Sequence, residues 1–378
     1  MHRTALLAAL CLAPAEMRFR HHFIDRDLPG TGWGQTALVD VDGDKDLDFI
    51  TGRRSGDIFW FEFRGAGEWR RRHLGKDSPS DVGGAALDVD RDGKVDFVAG
   101  GAWYRHGPEE PWTRHVFDPD LKAVHDLATA DLDGDGRTDV ITMSDRNNLR
   151  WYSIPADPTG PWARRDIGPG VHAGAWPADL DGDGDLDVVR SNAWFENADG
   201  KGLKWVERAN IPFGNPNNPF PYATRARTWD LDGDRDLDLV MTTNEIRNPK
   251  IAWIENADGK GGAWTLHELK PGDPAVRGAY HSLALADFDG DGDPDVFTCE
   301  MEGIAGEKPP RWFVWENLGD GRFEERVVLD AKLGGHEAVV GDVDGDGDLD
   351  VCAKLWSPRK DNANGGRLHA VFLENLRR

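Results

Sequence analysis

Cysteine is scarce: only Cys11, Cys299 and Cys352 occur in 378 residues. Cys299 and Cys352 fall in different parts of the chain, so neither a disulfide framework nor a cysteine metal centre can be built from them. Both are expected as small buried side chains. No apolar run reaches the roughly 18 to 20 residues of a membrane span. Blocks of Lys/Arg and basic helices are missing as well, which excludes an electrostatic footprint for nucleic acid. No G-x-S-x-G elbow is present, and no Ser or Cys is patterned with a His, so a nucleophilic hydrolase is disfavoured. Sustained helical periodicity is absent throughout.

Acidic residues are what the chain has in excess, 68 against 45 basic, for a formal charge of -23. The stretch GDVDGDGDLDVCAK, Gly341 to Lys354, places Asp342, Asp344, Asp346, Asp348 and Asp350 beside an apolar run. The pattern D-x-D-x-D-x-x-x-D begins seven times, at Asp40, Asp88, Asp131, Asp179, Asp230, Asp287 and Asp342, at intervals of 43 to 57 residues. Such a period marks an array of one structural unit. Positions 1, 3, 5 and 9 are always Asp: Asp40, Asp42, Asp44 and Asp48; Asp88, Asp90, Asp92 and Asp96; Asp131, Asp133, Asp135 and Asp139; Asp179, Asp181, Asp183 and Asp187; Asp230, Asp232, Asp234 and Asp238; Asp287, Asp289, Asp291 and Asp295; Asp342, Asp344, Asp346 and Asp350. Position 7 varies, as it can if only its backbone carbonyl is used. Four carboxylates within nine residues repel unless a hard cation sits among them, and Ca2+ suits such an oxygen set better than Mg2+. Up to seven Ca2+ ions are therefore expected, with those 28 aspartates as ligands. Filling all seven would bring the formal charge to about -9, so the acidity signals metal demand more than a partner.

Each aspartate loop lies between two short apolar runs, such as HSLALA and DVFTC, and is followed by an aromatic segment such as AWFEN and a fourth such as WVERANI. These are strand signals bounded by turn residues. Four strands in each of seven units predict an all-β, seven-bladed β-propeller with the cation loops between the first two strands of each blade. The seventh unit ends at AVFLENLRR with no fourth strand, whereas MRFRHHFID precedes the first unit and resembles GRFEERVVLD. Phe19 to Asp25 should thus complete the last blade and remove an exposed edge. Residues 1–15 have a short positive start, an apolar core and an Ala13-Pro14-Ala15 site, which reads as a secretory signal with 16–378 as a single propeller and a secreted or periplasmic location.

The D-x-D-G-D-x-x-x-D loop between two strands, repeated along the mature chain, resembles the FG-GAP or VCBS repeat family, which includes the integrin α-chain propeller. Similar repeats form the propeller of aldos-2-ulose dehydratase. The resemblance implies a calcium-binding propeller and is compatible with adhesion, carbohydrate binding or sugar elimination.

Topology then says where function should lie. Loops joining the first strand to the second share a face with the turns joining the third to the fourth. Residues at the start of each first strand converge on the opposite face, beside the axis. His125, His281 and His336 lie six residues before the first Asp of their copies, and His172 lies seven before. With Arg225, Tyr280 and Lys354 they are the candidate catalytic set, for imidazole titrates near neutrality and also binds transition metals. Arg190 is a further candidate cation. An additional divalent metal could sit at the histidine cluster. The competing reading has the histidines bonded to backbone at blade junctions. Long loops in blades 4 to 7, among them MTTNEIRNPK and KLWSPRKDNANGGR, should wall this face.

Most of the sixteen tryptophans recur at equivalent strand positions and read as packing between blades; Trp33 and Trp356 stand outside that repeat and are the better ligand candidates. The expected role is binding or processing of a carbohydrate, by lyase- or dehydratase-type elimination if catalytic. The alternative is a non-catalytic adhesion scaffold for a cell-surface glycan or protein.

Overall fold

Each aspartate loop is the turn of an antiparallel hairpin in the computed structural model, which describes residues 17–214, 224–319, 321–360 and 362–377. The expected signal segment, residues 1–15, lies outside the described residues. Among the described residues twenty-eight strands form seven four-stranded sheets, six of them running in chain order from the inside outwards and the last taking its outer strand from the start of the chain. The inner strands are Trp33–Val39, Gly84–Leu87, Val124–Ala130, Trp176–Ala178, Thr224–Trp229, Ala284–Ala286 and His336–Gly341. Each packs against the inner strand of the next blade, and the seventh meets the first, so the ring is a closed seven-bladed β-propeller.

Closure is made by Phe19–Asp25, which pairs antiparallel with Ala370–Asn375, from Phe19 opposite Asn375 to Phe23 opposite Val371. It thereby supplies the outer strand that the last blade lacks, and no edge of that blade is left in the middle of the ring.

Alternate residues of each strand face the neighbouring blade, and the hydrophobic core is divided into clusters between blades. The cluster between blades 2 and 3 joins Val98 and Trp103 to Val140, Tyr152 and Trp162, for example. The recurring tryptophans do the packing expected of them, with an added polar function. Trp151 Nε1 donates to Gly202 O of the next blade at 2.9 Å, and Trp205 Nε1 donates to the same carbonyl at 3.0 Å. Gly202 has φ +64°, and a Cβ there would lie 2.5 Å from the Trp151 ring, so only glycine allows the indole this close. Trp194 and Trp264 repeat the arrangement at Gly261 O, at 3.3 and 3.1 Å. The asparagines ending the third strands also cross between blades: Asn197 Nδ2 donates to Leu132 O and Asn256 Nδ2 to Leu180 O, both at 2.9 Å. Each tie joins one blade's turn to the aspartate loop of the blade before it. Cys299 and Cys352 are buried and unpaired, as their scarcity implied.

Candidate functional site

Two regions gather carboxylates. On the face of the aspartate loops, one construction repeats. The ninth-position aspartate accepts the backbone N–H of the second-position residue at 3.0–3.1 Å in all seven copies, as in Val41 to Asp48 and Val343 to Asp350. Its other oxygen accepts an N–H from the third strand in six of them, as in Phe63 to Asp48 and Asn375 to Asp350. This aspartate therefore staples the loop to its own sheet, a task the sequence pattern did not reveal.

Loop positions 4 and 6 have positive φ in every copy, including Lys45 (84°), Arg91 (62°) and Arg235 (82°), where the residue is not glycine. The loop shape therefore demands a left-handed backbone at both positions, whatever side chain is there.

Carboxylate oxygens of Asp40, Asp42 and Asp48 lie within 4.8 Å of one another, as do those of Asp88, Asp90 and Asp96, and of Asp131, Asp133 and Asp139. The fifth-position residues stand outside these three triads, and Asp135 is engaged by Arg137. Burial pushes Asp48 up to about 7, and Asp187, Asp295 and Asp350 to about 8, against the N–H groups that favour their charged forms. Buried oxygens of Asp46, Asp289 and Asp342 have no hydrogen-bond partner. Crowded, desolvated carboxylates with unused lone pairs are the donor set a Ca2+ ion fits.

The second region lies on the axis at the opposite face. His125 comes from the inner strand of blade 3, and His172 and His281 from the segments entering the inner strands of blades 4 and 6. Their Nε2 atoms converge on one oxygen, Glu245 Oε1, at 3.6, 3.0 and 3.1 Å respectively. The second nitrogen of each ring faces another carboxylate. His125 Nδ1 is 3.2 Å from Asp126, His172 Nδ1 is 2.6 Å from Asp145, and His281 Nδ1 is 3.1 Å from Glu337. Arg225 ties the group together, donating to Asp126 Oδ1 at 2.6 Å and to Glu337 Oε1.

These contacts set the charges. Burial would raise Glu245, but the three imidazoles converging on it, two of them hydrogen-bonded, outweigh that and hold the carboxyl far below the usual range. Burial would likewise raise Asp126 and Glu337; Arg225 and the histidines keep Asp126 ionised and Glu337 down at about 2. His172 moves the other way, up to about 9, because Asp145 and Glu245 outweigh its burial. Solvent reaches the cluster at Glu245 and His172, whose side chains are 16% and 11% exposed.

His336 is the fourth axial histidine and does not join that convergence. It stacks on His281 with ring centroids 3.8 Å apart, and the Trp356 ring lies 5.2 Å away. Lys354 Nζ lies 3.1 Å from His336 Nδ1 and donates to Gly34 O at 2.8 Å and His336 O at 2.7 Å. Burial lowers Lys354 to about 7 and holds His336 well below the usual imidazole range, with help from the neighbouring cations. His336 is thus the residue that matches the blade-junction expectation in part, being bonded through Lys354 to the backbone of blade 1.

Two candidates lie elsewhere. Tyr280 is fully buried with its ring against Phe313 and Trp315, in the core between blades 5 and 6, because its side chain points away from the axis while that of His281 points towards it. Arg190 reaches outwards to Pro169 O and Glu207, both at 3.0 Å. Trp33, one of the two ligand candidates, is buried against Phe59 and donates to Pro29 O at 3.0 Å, whereas Trp356 is half-buried beside the cluster with Arg54 over its ring.

Four carboxylates escaped the sequence reading: Asp126, Asp145, Glu245 and Glu337. Asp126 and Glu337 directly follow two of the candidate histidines, and Glu245 lies in the long loop MTTNEIRNPK already assigned to this face. Neighbourhood in sequence was thus a usable signal for three of them. Beneath the cluster a cavity of about 490 Å3 runs along the axis, lined by His125, Asp126, Arg225, Arg227, Trp176 and Glu337 among others. The blade 6 and 7 loops meet where Glu302 Oε1 accepts Ser357 N–H at 2.8 Å.

A family model described as an FG-GAP-like repeat matches residues 40–99, 103–189, 230–298 and 304–353. Among curated proteins, the rhamnogalacturonan endolyase YesW of Bacillus subtilis (strain 168) is 26% identical, over 47% of this chain and 38% of that protein. The chain therefore covers well under two thirds of that relative's length. Of solved structures, BBS1N in complex with ARL6DN superposes with a TM-score of 0.55 at 9% identity, covering 94% of this chain and 98% of that one. YCF48 bound to D1 peptide gives 0.51 at 14% identity, with 99% of each chain covered. At such identities these two likenesses concern the fold alone.

Proposed function

The chain belongs to the FG-GAP-like repeat family, and on that premise we propose that it is a calcium-rigidified propeller whose axial site binds and processes a carbohydrate. The observation that carries the reading is the pair Lys354 and His336 beside Trp356 at the cluster. A neutral amine can donate its two N–H groups to Gly34 O and His336 O while accepting from His336 Nδ1–H. That arrangement leaves the lone pair of His336 Nε2 available as a general base. An amine lowered to about 7 reaches this state near neutral pH. The half-buried indole of Trp356 offers a sugar ring a stacking face. Partial kinship to a rhamnogalacturonan endolyase supports elimination on a uronate-containing glycan as the reaction class.

In such an elimination the base takes the proton on the carbon beside the substrate carboxylate. The electrons form a C=C bond, the C–O bond to the leaving sugar breaks, and that oxygen is protonated. Arg225 is not free to neutralise the substrate carboxylate, since Asp126 and Glu337 already occupy its guanidinium. A positive centre for the developing charge has to come from the convergence around Glu245. Seven Ca2+ ions in the loops would hold the blades in register, and loops of this type suit the higher calcium of a secreted or periplasmic setting.

The test is a panel of uronate polysaccharides, including rhamnogalacturonan, followed by ultraviolet absorbance of a new double bond. The wild-type rate should rise as pH rises through about 7, where Lys354 loses its proton. His336→Ala should cost about 100-fold or more in kcat, and Trp356→Ala should raise KM while leaving the melting temperature nearly unchanged. Glycan binding by calorimetry with no product under any condition would replace this reading with the scaffold alternative.

A further inference from the structure

We propose that His125, His172, His281 and Glu245 form a mononuclear site for a divalent transition metal such as Zn2+, distinct in ligand chemistry from the aspartate loops. Three imidazole Nε2 atoms from three blades point at one carboxylate oxygen, at 3.0, 3.1 and 3.6 Å. Donors bound at 2.0–2.1 Å around a tetrahedral ion stand about 3.3 Å apart, and those separations bracket that edge. Ligand atoms of His125, His172 and Glu245 are all within 4.8 Å of one another, and His281 approaches the same oxygen from blade 6.

The outer contacts point the same way. A metal-binding imidazole usually gives its other N–H to a carboxylate, which fixes the tautomer and aims the ring. Two of the rings have such a bond, His125 to Asp126 and His172 to Asp145, and the third, His281, has Glu337 3.1 Å from its Nδ1 without hydrogen-bond geometry. Two of those partners are locked by Arg225. Meanwhile His125 Nε2, on a residue 2% exposed, faces the centre of the group with no hydrogen-bond partner.

Protons alone are a poor substitute for an ion. To satisfy carboxylates on both sides, each ring would have to carry two N–H groups, giving three imidazolium cations side by side. His125 and His172 have ring centroids only 4.0 Å apart, and His125 and His281 5.5 Å. One divalent ion supplies the positive charge at the point where the lone pairs meet and leaves each ring neutral. Imidazole ligands select a transition metal over Ca2+ or Mg2+, which prefer oxygen. The site does not depend on the carbohydrate reading; if both hold, the ion is the positive centre that Arg225 cannot be.

The experiment is done on the full chain with its loops filled by excess Ca2+. Metal analysis after purification without chelator should give one transition-metal ion per chain. Replacement by Co2+ should give visible d–d bands saturating at one equivalent. His172→Ala and Glu245→Gln should abolish both signals without changing calcium content. Asp145→Asn, which alters a side chain 37% exposed and leaves all four ligands in place, should weaken Co2+ affinity about 10- to 100-fold through loss of ring orientation. Absence of a stoichiometric ion in the wild type would overturn the proposal. So would Co2+ bands that persist in both ligand variants, or an Asp145→Asn affinity equal to wild type. If the ligand variants do not fold, the Asp145→Asn titration decides.

Discussion

The loops on one face and the cluster on the other are built from the same blades by opposite means. Seven aspartate loops make the same bond from the second-position N–H to the ninth aspartate, and most add a bond to their own third strand, so every copy is a local solution to the same problem. The axial cluster takes His125 and Asp126 from blade 3, His172 from blade 4, Glu245 and Arg225 from blade 5, His281 from blade 6, and Glu337 with Lys354 from blade 7, and each blade contributes a different combination. Repetition makes a feature robust and visible, whereas function at a pseudo-symmetry axis requires the symmetry to be broken. The two regions should therefore fail differently when perturbed.

Removing calcium should have the largest effect and act through the repeated region. One ion present at 100 times its dissociation constant contributes about 2.7 kcal/mol. Several such terms together exceed the roughly 5 to 15 kcal/mol total stability of a typical domain. Chelation should accordingly unfold the protein or lower its melting midpoint far more than an equal ionic strength of sodium chloride does. A midpoint unchanged after metal analysis shows the loops empty would remove the loops from the stability argument.

Next in size is a change at the axis. Arg225→Ala leaves the buried Asp126 and Glu337 without their shared cation, and breaking a buried pair from one side costs about 3 to 5 kcal/mol. Denaturant unfolding should show that loss while calcium content stays at the wild-type value, separating the axis from the loops. A loss below 1 kcal/mol would mean that the histidines alone neutralise both carboxylates.

The smallest effect sharpens the comparison among the loops themselves. Lys45, Arg91 and Arg235 occupy left-handed positions that glycine fills in other copies. Such a backbone costs a side-chain-bearing residue about 1 to 2 kcal/mol, part of which the extra freedom of glycine in the unfolded chain takes back. Lys45→Gly should thus raise stability by less than about 1 kcal/mol, and Gly43→Ala in the same loop should lower it. Equal melting of Lys45→Gly and wild type would imply that calcium binding already dominates the loop.

The architecture was legible because each of its elements is announced within a few residues. The D-x-D-x-D-x-x-x-D spacing marks a turn, the aromatic alternation marks strands, and a missing last strand marks the role of Phe19–Asp25. Position along the inner strand brought His125, His172, His281 and His336 to the axis as anticipated. Rotation about that position was not legible. Tyr280 and His281 are adjacent, yet one ring enters the core and the other faces the axis, because successive side chains take opposite sides of an extended segment. Nor did the loop sequence say that Glu245, from a loop of blade 5, would meet rings from blades 3, 4 and 6.

What the sequence alone determined, then, is everything that repeats: the four-stranded unit, the number of blades, the place of the aspartate loops and the strand that closes the ring. Local propensity and alternation act within single units, so one unit's pattern is evidence for all seven. Only the tertiary structure decided which carboxylate each imidazole faces, that Arg225 is consumed by Asp126 and Glu337, and that His336 pairs with Lys354 and stands apart from the other three histidines. Apart from the adjacent His125 and Asp126, those contacts join residues roughly 20 to 120 positions apart, from Lys354 to His336 up to His125 to Glu245, across an axis where small differences in loop length and side-chain direction set every distance.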